Sequence, residues 1–287
     1  MCLIMHIIDS NNCKLRLTLL LVLLVIFFSP AFAQGDLLIT PKRVVFDGSK
    51  RVMELNLANI GKDTARYSIS LVQYRMTEDG NFEEITVPDP GQNFADKYIR
   101  FFPRTVTLGP NEVQVVKMQL TNTSNLAPGE YRSHIYFRAT PKETALGEEE
   151  QNNDTTSVHI KLVPIFGITI PVIIRIGESN TKVNISDLEL ENINDTTSRL
   201  KIVFHRSGNM SVYGDLKVVH VAPDGKETVV GIANGISVYT PNQIRRFNMD
   251  IINNNKVDLH SGKLRVTYSA QSDAKPEKFA EAILELH

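Results

Sequence analysis

The stretch from Ser157 to Ile176, SVHIKLVPIFGITIPVIIRI, limits the possible folds more than any other part of the chain. Its even positions read Ile160, Leu162, Pro164, Phe166, Ile168, Ile170, Val172, Ile174 and Ile176, while the odd positions still carry Val163, Ile165 and Ile173. Such a run reads as a strand, yet an antiparallel strand with one wet face is apolar on one side only. A strand apolar on nearly both sides is either central in a packed core or covered by something else. Pro164 and Pro171 oppose a central place, because each removes a ladder N–H and is tolerated at edges and bulges. An apolar edge left open is an aggregation hazard. The segment is therefore expected to be an edge strand, either covered within its own fold or paired with a partner's chain.

Short alternating segments separated by turn residues recur on both sides of it. Ahead of it lie candidate strands at Leu38–Phe46, Val52–Asn59, Ala65–Met76, Thr105–Leu108, Val113–Thr121 and Gly129–Thr140; the apolar strand itself is expected at Val158–Ile176. Turn signals such as Asp47-Gly48, Glu78-Asp79-Gly80-Asn81 and Gly109-Pro110-Asn111-Glu112 separate them. About seven strands in roughly 140 residues is the pattern of an immunoglobulin-like sandwich. Pro141 to Thr156 reads as a polar, acidic, solvated loop. Gly177-Glu178-Ser179-Asn180 reads as a hinge, and beyond it a second series runs from Val183–Leu190 through Glu227–Val230 and Gly235–Tyr239 to Phe279–Glu285. The expected fold class is all-β: two immunoglobulin-like β-sandwich domains in tandem, at 34–176 and 181–287, joined by the hinge at 177–180.

Residues 1–33 have the pattern of a cleaved signal peptide. Lys14 and Arg16 form a positive start, Leu17 to Phe28 is apolar, and Ala31-Phe32-Ala33 is a small-x-small cleavage site. The apolar run, about a dozen residues, is shorter than the roughly 20 that span a bilayer, so no stable membrane insertion is expected. Both cysteines, Cys2 and Cys13, fall in this leader. The exported chain then has no disulfide to rely on and must be held by core burial, for which its roughly 250 residues suffice. Losing Asp9, Lys14 and Arg16 with the leader moves the net charge from −1 to −2. That balance gives no basic surface for nucleic acid.

Patterns that carry chemistry are missing. The sequence has no G-x-S-x-G elbow, no phosphate-binding Gly-Lys-Ser/Thr loop and no H-E-x-x-H. His134, His159, His205, His220 and His260 do not stand in metal-ligand spacing, and His134 and His159 read as ordinary surface or half-buried strand residues. Carboxylate pairs such as Glu83-Glu84 sit in turns, where they solvate a surface. No catalytic residue, metal or cofactor is expected, and a hydrolase on this scaffold would have only the fold's permissiveness behind it.

Four segments of the first module resemble the PapD-like periplasmic pilus chaperones. They are Thr40–Gly48, with its Arg-x-x-Phe-Asp-Gly; Tyr98–Glu112, with Pro103 and the Leu108-Gly109-Pro110 turn; Tyr131–Pro141; and the apolar strand's end, Val172-Ile173-Ile174-Arg175. The similarity runs in order from residue 37 to 176, while the second module matches in position and strand content only. The resemblance implies a periplasmic, non-catalytic chaperone. Its partners would be pilus or other surface-structure subunits, with an outer-membrane usher as a further one. Such a chaperone lends its last strand to an incomplete subunit, pairing backbone to backbone while alternate side chains fill the subunit's groove. Arg43 matches the arginine that holds the subunit's C-terminal carboxylate, and Leu162, Phe166, Ile168 and Ile170 are the candidate partner-binding residues of the strand. The lysine that completes the family's clamp falls at Pro171, which has neither charge nor donor. Which face of the strand is lent stays open, since Pro164 or Gly167 can mark a bulge that reverses it. The alternative is an envelope scaffold that keeps the fold but caps no subunit.

Overall fold

Alternation at a period of two governs nearly every element of the computed structural model, which describes residues 37–140, 165–194, 196–252, 257–271 and 276–286. The leader, the acidic loop and Leu162 lie outside these residues. The first part comprises β1 (Leu37–Thr40), β2 (Val44–Phe46), β3 (Val52–Asn59), β4 (Ala65–Val72), β5 (Tyr74–Met76), β6 (Phe82–Glu84), β7 (Ile99–Phe102), β8 (Thr105–Leu108), β9 (Val113–Leu120), β10 (Gly129–Thr140) and β11 (Gly167–Ile176). One sheet has the order β1-β3-β9-β7 and the facing one β2-β11-β10-β4-β8. Leu55 and Leu57 of β3 and Val116 and Met118 of β9 point inward from the first sheet. Ile135 and Phe137 of β10 and Val172 and Ile174 of β11 meet them from the second, all fully buried. This is an immunoglobulin-like sandwich.

The first strand expected from sequence is divided between the two layers. β1 pairs antiparallel with β3, and β2 pairs parallel with β11, so residues 41–43 carry the chain from one sheet to the other. The predicted strand 65–76 is likewise two elements. β4 stays in the sandwich, whereas β5 turns out of it to form a hairpin with β6 through Glu78-Asp79-Gly80. Asn59 fastens the next turn: its buried Nδ2 donates to the carbonyls of Asp63, Leu108 and Gly109, and its Oδ1 accepts from the Gly61 N–H.

The remaining strands are β12 (Lys182–Asn194), β13 (Thr197–Ser207), β14 (Val212–Val221), β15 (Glu227–Val238), β16 (Ile244–Ile252), β17 (Lys263–Ser269) and β18 (Lys278–Glu285). They form sheets β12-β13-β16 and β15-β14-β17-β18 around a separate core of Leu200, Ile202, Phe204, Leu216, Leu264, Val266 and Tyr268. The two segments expected at 227–230 and 235–239 are one strand, because β15 stays paired with β14 across two register shifts. The buried Tyr268 hydroxyl donates to the Ile236 carbonyl at 2.7 Å, tying β17 to β15 across β14. The fold is all-β, two sandwiches in tandem.

Candidate functional site

The two sandwiches meet along β10 and β11. β10 is buried on both faces over Gly129–Ile135. Its odd residues enter the first core, while Glu130, Arg132 and His134 face the β5–β6 hairpin and the second sandwich. A Glu-Arg-His alternation reads as a wet face in sequence, yet these three are 2%, 2% and 4% exposed. His134 is therefore not the surface or half-buried residue expected.

The polar groups of this face are only partly satisfied, and Glu130 Oε1 is buried without a partner. Glu130 Oε2 accepts from Arg175 Nε at 3.3 Å, from the Ser211 N–H at 3.0 Å and from the Ser211 hydroxyl at 2.6 Å. Arg175 Nη2 donates back to the Ser211 carbonyl at 2.8 Å. Arg132 Nη2 donates to the carbonyls of Tyr74 and Thr240 at 3.4 and 3.3 Å, and its guanidinium lies 4.1 Å from the Tyr239 ring centre. Its Nε and Nη1 are buried without a partner. The His134 ring packs edge-on to Tyr74 and Phe82, and its Nδ1 is buried without a partner. Burial, reinforced by the charges of Arg132 and Arg43, pushes the His134 imidazole down to about 3. It is neutral at physiological pH.

Arg43 stands in the crossing between β1 and β2, at the mouth of this region. Its guanidinium lies 4.3 Å from the Tyr213 ring centre and 5.4 Å from that of Tyr239, and Nη1 donates to the Tyr239 hydroxyl at 3.3 Å. It lines a cavity of about 470 Å³ together with Lys42, Tyr74, Phe82, His134, Thr169, Pro171, Tyr213 and Tyr239. No carboxylate lines that cavity among the described residues. A larger cleft, about 830 Å³, continues from Arg43 past Arg175 and Tyr213 to Phe279 of β18. The cations, aromatic faces and neutral donors of the smaller cavity suit an anion with an apolar body, whereas the larger cleft also carries Glu277.

β11 accounts for the puzzling apolar run. Ile170, Val172 and Ile174 are in the core of the first sandwich, with Ile168 and Ile176 packed against it. On the opposite face Ile173 is fully buried in a small cluster with Met76 and Tyr239, the apolar seam between the sandwiches. Over Val172–Ile174 both faces are thus covered within the chain, whereas Thr169 and Pro171 on the outward face line the cavity. The side chain of Ile170, 4% exposed, is committed to this core, and Ile168 is partly so. This corrects the expectation that they meet a partner: their even-numbered face is the inward face of the sheet. The apolar surplus lies further back, at Ile165 and Phe166, which are 43% and 42% exposed.

The edge of β11 is covered over only part of its length. β2 pairs with Val172–Ile174, and among the described residues no strand pairs with Gly167–Pro171 on the side away from β10. Pro171 thus stands at the last position before β2 begins, where the edge is open. Arg43, immediately ahead of β2, is next to that point, and both line the same cavity. Among the described residues no cluster of His, Cys, Asp and Glu could hold a metal ion, and no helix is long and apolar enough to cross a membrane.

No family model and no curated protein matches the sequence. Solved structures similar to it include the YadV chaperone, at 12% identity and a TM-score of 0.43, covering 88% of this chain and 100% of that one. The CupB2 chaperone of Pseudomonas aeruginosa is 12% identical with a TM-score of 0.42, covering 87% of this chain and 100% of that one. A third similarity is to the CsuC–CsuE chaperone–tip adhesion subunit complex of archaic chaperone-usher Csu pili from Acinetobacter baumannii. It is 12% identical with a TM-score of 0.39, and covers 74% of this chain and 90% of that one.

Proposed function

We propose that the chain is a periplasmic chaperone that binds pilus or other surface-structure subunits by lending the edge of its strand 157–176. The observation that carries this reading is the open edge of β11 from Gly167 to Pro171, which ends beside the Arg43 cavity. A subunit strand added there gains backbone hydrogen bonds from β11. The subunit's C-terminal carboxylate then lies at Arg43, whose planar guanidinium, backed by Tyr213 and Tyr239, suits a bidentate contact. Phe166, and Leu162 upstream of it, supply side chains to the subunit's groove, while Ile168 and Ile170 hold the lent strand to its own sandwich. The same reading includes the leader at 1–33, the division into domains at 34–176 and 181–287 with a hinge at 177–180, and delivery to an outer-membrane usher. It involves no cofactor and no catalytic step.

The test is periplasmic co-expression with a pilus subunit that lacks its final strand, followed by hydrogen exchange on the purified complex. Amides of residues 166–171 should become protected, and Arg43→Ala should weaken the complex at least tenfold. A monomer that captures no subunit and ignores Arg43→Ala would point instead to an envelope scaffold.

A further inference from the structure

We infer that the open half of the sheet β2-β11-β10-β4-β8, the part away from the second sandwich, binds an acidic glycan held by Arg66 and Arg138. Its outward residues stand in rows fixed by the ladder. Arg138 is opposite Ser68, which is opposite Thr105; two residues along, Thr140 is opposite Arg66, which is opposite Thr107. All six are exposed, and residues opposed in this way share one face. Arg138 and Arg66 are diagonal neighbours across β10 and β4, with Cβ atoms about 7 Å apart, so both guanidiniums reach a carboxylate placed between them.

The charge pattern of this face differs from that of the other three outward faces. Those supply an acid for their cations: Glu54 for Lys117 in the facing sheet, Asp250 for Arg199 in β12-β13-β16, and Glu227 for Arg265 in β15-β14-β17-β18. Arg66 and Arg138 have no ion-pair partner among the described residues, and no acid stands on their rows. Two cations this close repel each other, and an anion from outside relieves that repulsion. Tyr136 adds an aromatic surface beside them. Its ring lies across Gly167, in the space that a side chain at 167 would fill. Gly167 is opposite Arg138, so the half-exposed ring stands next to that guanidinium. Guanidiniums pair bidentately with a uronate carboxylate, hydroxyls from three strands meet sugar hydroxyls, and the ring packs on the apolar side of a pyranose. β4 is paired on both sides, by β10 and β8, so its backbone cannot take up an added peptide strand. The two rows carry no large apolar side chain to insert into a bilayer. An acidic glycan is the occupant that uses every group present. The inference does not depend on the chaperone reading.

The experiment titrates residues 34–287 with trigalacturonic acid and with its methyl ester, which keeps the sugars and removes the charge, by calorimetry at low salt. The acid should bind, and the ester should bind at least tenfold more weakly. Arg66→Gln combined with Arg138→Gln should weaken the acid at least tenfold, and Tyr136→Ala should weaken it several-fold. Arg199→Gln, on a face with its own acid, should leave binding unchanged. In the unmutated protein the acid should move the Nε resonances of Arg66 and Arg138, a readout that needs no variant to fold. No binding of the acid, equal binding of acid and ester, or an unchanged affinity in the double variant would overturn the inference. Triglutamate binding as tightly as the glycan would assign the face to an acidic peptide and overturn it too. So would binding that appears only after Glu148, Glu149 and Glu150 are changed to Gln, which would give the face to the chain's own acidic stretch.

Discussion

Removing the carboxylate of Glu130 should both destabilise the chain and uncouple its two sandwiches. The side chain is fully buried, and its Oε2 accepts from Arg175 and twice from Ser211, which lies in the second sandwich just ahead of β14. A hydrogen bond to a charged group is worth about 1.5–3 kcal/mol. The Arg175 contact counts for less, because that guanidinium is 29% exposed and solvent screens it. Deleting all three with Glu130→Ala also leaves the Ser211 N–H buried without an acceptor, so the expected loss is about 3–4 kcal/mol. Glu130→Gln keeps an acceptor and should cost about half as much. The chain has no tryptophan, so urea unfolding is followed by far-UV circular dichroism together with tyrosine emission. A double-mutant cycle with Ser211→Ala should give a coupling of about 1–2 kcal/mol across the interface. Calorimetry should show one transition for the parent and two for Glu130→Ala. A variant within about 0.5 kcal/mol of the parent, or strict additivity with Ser211→Ala, would refute the claim that this network joins the sandwiches.

Acid should weaken the fold through His134. The native imidazole titrates at about 3 and an unfolded one at about 6.5. Between those values the unfolded chain takes up a proton that the native one refuses, so stability falls as pH drops below about 6.5, by at most about 1.4 kcal/mol per pH unit. Urea midpoints at pH 7, 6 and 5 should show this slope, and His134→Gln should flatten it. Gly262 has φ +82°, and a Cβ there would meet the Val221 carbonyl oxygen at 2.3 Å. Gly262→Ala should therefore cost about 3 kcal/mol, read as a fall in Tm. Asn59→Ala strips three carbonyls and the Gly61 N–H of their partner and should cost about 2–3 kcal/mol, with faster hydrogen exchange localised to residues 59–63.

Strands with one wet face were legible to the residue: Val52–Asn59 and Thr105–Leu108 begin and end where alternation and turn residues place them. Gly129–Thr140 also has the expected ends, although both its faces are buried over Gly129–Ile135. The pattern failed where the chain leaves a sheet while staying extended. Leu38–Phe46 and Ala65–Met76 keep a strand-like pattern through breaks at 41–43 and at Gln73, since alternation reports extension and not the identity of the neighbour. The candidate site was half legible. Arg43, which lines the cavity, was singled out through the segment around it, but Arg132 and His134 were not, because a polar residue facing a second domain looks the same in sequence as one facing water. Only the alternation of charge on β10 with a strongly apolar opposite face hinted that two burials met there. The apolar excess of 168–176 was read as a surface in want of a cover, and the structure supplies that cover from β10, the first core and Tyr239.

The brief parallel pairing of β2 with β11 has a geometric consequence. A strand laid along the free edge from Gly167 has five residues, about 17 Å, before it reaches Val44. It must stop there, since β2 already occupies the next positions. A strand that stops with its carboxylate at Arg43 runs parallel to β11, in line with β2 and continuing into it end to end. On the proposed reading the three residues of β2 would then act as a doorstop. They would set the register of an incoming chain by where it ends, whatever side chains it carries.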